Sequence, residues 1–145
     1  MIFQYYPTVS HSFTYELNKD LHFAAAHFIP SSLAGKCQDL HGHTYVVNVT
    51  VCGDALDESG FLVNFASIKE LIHKRYDHTS LNEHEEFSGA DSERFPTTEV
   101  LAAAIYAKVQ AYLDGCANQP RCMQIIVRET PTSYVIYRPK MQEIM

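Results

Sequence analysis

No run of apolar residues in this sequence is long enough to span a bilayer, so no membrane-crossing segment is expected. Positive charge is in deficit. Eleven lysines and arginines stand against 17 aspartates and glutamates, a net charge of −6, which argues against a polyanionic partner such as DNA or RNA. Tryptophan is missing, and the four cysteines, Cys37, Cys52, Cys116 and Cys122, include no Cys-x-x-Cys pair. At 145 residues the chain can build one core without disulfide staples. The cysteines are therefore read as reduced thiols, and all but Cys37 as small buried apolar side chains. Glycine and proline are scarce and nowhere gather into a linker, and no internal repeat is visible. Residues 1–145 thus read as a single domain. The stretch Met1 to Pro7 lacks the basic and long apolar regions of a signal peptide, so a cytoplasmic location is the expectation.

What the chain does have is 46% apolar and 12% aromatic residues, a globular composition. A first strand is expected from Phe13 through Leu21 to Phe28, with partial alternation, followed by a loop from Ser31 to Gln38. Thr44 to Val51 is dense in β-branched and aromatic residues and reads as a second strand. Turn chemistry at Gly53-Asp54 and Asp57 to Gly60 suggests a return strand near Phe61 to Val63. Asn64 is placed to cap a helix whose apolar positions Phe65, Ile68, Leu71 and Ile72 recur at helical spacing. Asp77 to Phe95 looks irregular. Pro96-Thr97-Thr98-Glu99 then opens a long helix, Val100 to Leu113, ending near Gly115. Two last strands, Cys122 to Arg128 and Tyr134 to Tyr137, flank a hairpin turn at Glu129 to Ser133. Antiparallel strand pairs with the helices grouped between them predict an α+β domain: a four-stranded sheet with two helices on one face.

The chemistry concentrates in Cys37-Gln38-Asp39-Leu40-His41-Gly42-His43, preceded by His27. Residues two apart in a strand share a face at roughly 7 Å. His41 and His43 can therefore converge on one ion at Zn–N distances of about 2.0–2.1 Å. Gly42 between them leaves room for another backbone or a ligand. His27, after Ala24-Ala25-Ala26, adds a third nitrogen if its strand pairs beside theirs. Three histidines leave one tetrahedral position open, as a catalytic zinc requires. Two other readings stay open on spacing alone. Cys37 could close the site as a fourth ligand, giving a structural zinc module, or the histidines could be buried and the thiol inert.

Five motifs occur in order: Phe23-Ala24-Ala25-Ala26-His27, Cys37-x-x-x-His41-Gly42-His43, Tyr76-Asp77-His78, Pro96-Thr97-Thr98-Glu99 and Arg128-Glu129-Thr130. Together they resemble the 6-pyruvoyl-tetrahydropterin synthase family over nearly the whole chain. Three residues between Cys37 and His41, and Thr98-Glu99-Val100-Leu101, resemble its 6-carboxy-5,6,7,8-tetrahydropterin synthase branch rather than the pyruvoyl branch. One departure is Asn64, where relatives commonly carry Asp. The two cap a helix about equally well.

The resemblance implies the tunnelling fold, in which small sheets from several subunits close into a barrel. It also implies a homohexamer with active sites at subunit interfaces. The implied substrate is 7,8-dihydroneopterin triphosphate, converted with release of acetaldehyde and triphosphate on the way to queuosine and other deazapurines. Zinc on His27, His41 and His43 is implied as the cofactor, and Cys37 as the catalytic thiol. His78, oriented by Asp77 or another carboxylate, is implied as a second acid–base group. Glu129 is implied to receive the pterin ring through paired acceptors, with Thr97 and Thr98 contacting polar substrate atoms at a helix start.

Overall fold

The computed structural model describes residues 6–140. Residues 1–5, part of the stretch read for a signal sequence, lie outside the described residues. The elements are β1 (Tyr15–His27), β2 (His41–Gly53), α1 (Phe65–Tyr76), β3 (Thr79–Ser80), α2 (Thr98–Asp114), β4 (Arg121–Thr130) and β5 (Ser133–Tyr137), joined by short 3₁₀ turns. They form a single sheet in the order β3-β1-β2-β4-β5, antiparallel except for the β1–β3 pair.

The sheet is amphipathic by parity. Leu21, Phe23, Ala25 of β1 and Tyr45, Val47, Val49, Val51 of β2 point to one face and are buried. There they form one core with Ile68 and Ile72 of α1 and Leu101, Ile105 and Val109 of α2. The intervening residues face the other way and satisfy one another with hydrogen bonds. Asn48 donates to Asp20 at 3.0 Å, and the Thr50 hydroxyl donates to Asn18 at 2.7 Å. The segment before β1 lies along this polar face, with Tyr6 donating to Asp20 and Gln124 to the Pro7 carbonyl, both at 2.7 Å.

Helix starts follow the sequence closely. The Asn64 side chain accepts from Ala66 N–H, and the Thr97 hydroxyl accepts from Val100 N–H. Gly115 ends α2.

Three expectations are corrected. The sheet has five strands, because Thr79 and Ser80 pair with Ala25 and Ala26. Phe61 to Val63 is not a strand. Both edges of β2 are already taken by β1 and β4, so this segment only inserts Leu62 and Val63 into the core while Asn118 donates to the Leu62 carbonyl. The loop after β1 is a pair of 3₁₀ turns over Ser32–Gln38, broken at Gly35, whose φ of 59° lies where glycine is favoured. Of the three cysteines expected inside, Cys52 and Cys122 are buried and Cys116 is half-buried; Cys37 is exposed.

Candidate metal centre

The β1–β2 register places His27 opposite His41 and Ala25 opposite His43. The three imidazoles therefore meet at the end of the core face, with ring centroids 4.5, 4.9 and 5.1 Å apart and ligand atoms mutually within 4.8 Å. His27 is 2% exposed. Its Nδ1 contacts the Pro96 carbonyl at 2.7 Å, and His41 Nδ1 contacts the Asp39 carbonyl at the same distance. A carbonyl accepts, so Nδ1 carries the proton in each ring and Nε2 presents a lone pair. Nε2 of His27 and of His43 is buried and has no hydrogen-bond partner. Burial holds the His27 pKa below the usual histidine value, against the opposing pull of the Pro96 carbonyl, so the neutral, ligating form is favoured. Buried imidazole nitrogens left unpartnered at one point are costly unless something sits there. The donor set fits a divalent cation.

A second group, His11, Glu16 and Cys52, also draws together and shows the contrast. Phe13 N–H donates to His11 Nδ1 at 3.1 Å, so the ring proton sits on Nε2, 2.9 Å from Glu16 Oε1. Burial, with Glu16 nearby, pushes the Cys52 thiol up to about 12. These groups satisfy one another with protons in place and leave no lone pair seeking a cation.

Glu129 stands beside the first centre. It lies one residue past the Val46–Arg128 pair of β2 and β4. Its Oε1 is 3.4 Å from His27 Nε2 and 3.2 Å from His43 Nε2. Tyr45 packs edge-on against both rings from below, and burial raises its pKa, so its hydroxyl stays neutral.

Asp77 and His78 do touch. His78 Nδ1 is 2.8 Å from Asp77 Oδ2, while Asp77 Oδ1 accepts from Ala24 N–H at 2.9 Å. Adjacent residues reach each other because His78 adopts a φ of 60°, uncommon for a side-chain-bearing residue, with its N–H held by the Ala24 carbonyl at 2.7 Å. The Ala24 N–H and then His78 hold the Asp77 carboxyl below its usual pKa. His43 and His78 line one open cleft of about 550 Å³ with Ala24, Gly42, Thr44 and Thr79. Gly42 is not demanded by a close backbone, since a Cβ there would meet only the Ala25 carbonyl at 3.6 Å. Its contribution is room in the cleft.

Cys37 is not brought into the histidine cluster. It is exposed at the end of the 3₁₀ turn, where its carbonyl accepts from Ile29 N–H at 2.7 Å. The Thr97 hydroxyl is engaged as the α2 cap, and Thr98 is buried.

Sequence reasoning missed two participants. The Pro96 carbonyl fixes His27, and a backbone atom leaves no residue-type signal. His73 lies 3.3 Å from Asp77 Oδ2 and donates through Nδ1 to the His22 carbonyl at 2.7 Å; its signal was the four-residue helical spacing to Asp77.

Over residues 16–140 the chain matches the protein family described as 6-pyruvoyl tetrahydropterin synthase. It is 60% identical over 140 residues to the 6-carboxy-5,6,7,8-tetrahydropterin synthase of Bacillus subtilis (strain 168), covering 97% of this chain and 96% of that one. It is 35% identical over 127 residues to the enzyme of the same name from Synechocystis sp. (strain ATCC 27184 / PCC 6803 / Kazusa), covering 82% and 89%. The solved structure of Caenorhabditis elegans 6-pyruvoyl tetrahydropterin synthase superposes with a TM-score of 0.69 at 23% identity, covering 87% of this chain and 96% of that one. At that identity the likeness speaks for the fold alone.

Proposed function

The chain belongs to the 6-pyruvoyl tetrahydropterin synthase family, and on that premise we propose that it is a zinc-dependent 6-carboxy-5,6,7,8-tetrahydropterin synthase. Its substrate is 7,8-dihydroneopterin triphosphate, cleaved with release of acetaldehyde and triphosphate in the supply of deazapurine precursors such as that of queuosine. The observation that carries this reading is the convergence of His27, His41 and His43, two of them with orphaned buried Nε2 atoms, in a chain 60% identical to an enzyme of that name.

His27, His41 and His43 hold the metal. Zinc bound there supplies Lewis acidity toward the side-chain oxygens of the pterin. His78, which lines the cleft and is oriented through Nδ1 by Asp77, exchanges protons with the substrate side chain. Cys37 supplies a thiol base. Thiols serve this purpose when a neighbouring cation populates the thiolate, and the exposure of Cys37 leaves it free to meet a site completed by a neighbouring subunit. Glu129 offers two adjacent acceptors to the ring N–H and exocyclic amine of the pterin, and Thr97 and Thr98, at the α2 start, contact polar substrate atoms. The enzyme works as a cytoplasmic homohexamer.

The test is product identification after incubating zinc-loaded protein with 7,8-dihydroneopterin triphosphate. Acetaldehyde with a carboxy-substituted tetrahydropterin is expected. A product retaining the three-carbon side chain would make the protein a pyruvoyl synthase instead. No turnover in the loaded protein would return the chain to a non-catalytic zinc module.

A further inference from the structure

We infer that Glu129 is itself a ligand of the metal when no substrate is present, and that pterin binding draws its carboxylate away. The inference rests on the metal-dependent reading above and deepens the role of Glu129 within it.

Glu129 Oε1 stands 3.4 Å from His27 Nε2 and 3.2 Å from His43 Nε2. Neither contact has the geometry of a hydrogen bond, because both nitrogens lack any partner meeting it. For His27 the reason is plain: its N–H is at the far side of the ring, spent on Pro96. A carboxylate oxygen thus faces the His27 lone pair at close range, beside a His43 Nε2 that is buried and has no hydrogen-bond partner. Two acceptors with no proton between them repel, and burial of the imidazole nitrogen strengthens the repulsion.

A cation among them reverses the sign. The spacing is the one such a cation imposes. With metal–ligand bonds of about 2.0–2.2 Å in a tetrahedron, neighbouring ligand atoms stand about 3.3–3.6 Å apart. The two separations, 3.4 and 3.2 Å, lie within or just under that range, whereas an N–H···O pair would be aligned and shorter. The β4 register is what delivers the carboxylate here, one residue past the Val46–Arg128 pair.

One carboxylate does not ligate a cation and grip a pterin ring with the same oxygens at once. Substrate binding therefore exchanges one bond set for another. The Glu129–metal bond breaks, ring N–H···O bonds form, and a coordination position opens only when the correct ring is seated. Ring recognition is thereby coupled to opening of the metal centre. In the resting protein four side chains hold the ion.

The experiment uses the full chain, stripped and reloaded with zinc for affinity or cobalt(II) for visible spectroscopy, as wild type, Glu129→Gln and Glu129→Asp. Glu129→Gln is expected to weaken zinc binding in a chelator competition by about tenfold or more and to alter the substrate-free cobalt spectrum. Glu129→Asp keeps the charge but not the reach, and is expected to alter the spectrum as Gln does. Adding 7,8-dihydroneopterin, which lacks the triphosphate, is expected to move the wild-type spectrum and leave that of Glu129→Gln much less changed. Wild-type affinity and spectrum in Glu129→Gln would overturn the ligation. A wild-type spectrum in Glu129→Asp would reduce Glu129 to a neighbouring charge. An unmoved wild-type spectrum on pterin addition would overturn the exchange. Circular dichroism of each variant separates loss of fold from loss of ligand. These readouts need no turnover, so a failure to release acetaldehyde would sink the activity proposed above and leave this ligation standing.

Discussion

His41 and Cys37 are four residues apart and have opposite structural fates. His41 has its Nδ1 tied to Asp39 and its Nε2 turned inward, whereas Cys37 is exposed on the turn before it. Their substitution should therefore separate metal binding from chemistry. His41→Ala is expected to lose metal and activity while staying soluble, and full metal stoichiometry by elemental analysis would remove it from the ligand set. Cys37→Ala is expected to keep metal and pterin binding and lose about 10²–10⁴-fold in turnover, the usual loss on removing a general base. Loss of zinc in Cys37→Ala with the three histidines intact would make the thiol a ligand and the site structural. At this scale the sequence was legible where the signal is residue type at strand spacing, as with His41, His43 and the small residues before His27. It was not legible where geometry depends on register or backbone. Glu129 approaches the histidines only through the β2–β4 pairing, the Pro96 carbonyl has no identity in the sequence, and the Asp77–His78 contact needs a left-handed φ at His78.

Among elements, the long periodic ones were readable. α1 starts at its expected Asn64 cap, and α2 starts inside the Pro96 to Glu99 stretch expected to open it, two residues before Val100, because Asn, Pro and Thr leave a local sequence mark. The two-residue β3 and the 3₁₀ turns after it were not, since they have no periodicity and are held by tertiary contacts. Glu86 is the clearest of these. It receives Arg75 and the Tyr76 hydroxyl from α1 and pairs with Lys108 of α2, so it ties the turn over Glu85–Phe87 to both helices. Together these contacts hold its carboxyl well below the usual value despite its partial burial. Glu86→Ala is expected to lower stability by about 1.5–3 kcal/mol, the range for hydrogen bonds to a charged group, as read by chemical denaturation. An unchanged midpoint would show the turn is held by Leu81 and Phe87 alone. His84 in the same segment gives a pH test. Burial, and then Arg75, hold its folded-state pKa below the unfolded value. As pH falls through about 6.5 the unfolded chain takes up a proton that the folded one refuses. The contribution of His84 is therefore present above that pH and is lost below it. The melting temperature of metal-free protein should fall between about pH 7 and 5.5, and less steeply in His84→Gln. Identical slopes would exclude His84 as a source.

For the whole molecule, the surface of one chain looks unfinished at the place where the thiol sits. The turn over Ser32–Gln38 buries none of its residues. Leu33 is 95% exposed and Leu40 is 64% exposed on either side of Cys37. The sheet edges are open as well, since β3 covers β1 only at Ala25 and Ala26, and β5 has no outer neighbour among the described residues. Exposed apolar side chains and bare strand edges are the features that association removes, and a hexamer built through them would carry the Cys37 turn against a neighbouring subunit. On the homohexamer proposed above, sedimentation at assay concentration should report an assembly of six chains. A monomer would contradict the assembly and leave Cys37 away from any metal. Leu33→Asp places a charge where the interface is expected, on a fully exposed residue outside the histidine cluster. It should shift the protein toward smaller species and lower turnover in parallel, while zinc content per chain stays at the wild-type level. If the variant remains hexameric with full turnover, the Cys37 turn is not an interface, and the thiol must reach the site of its own chain by moving the turn that carries it.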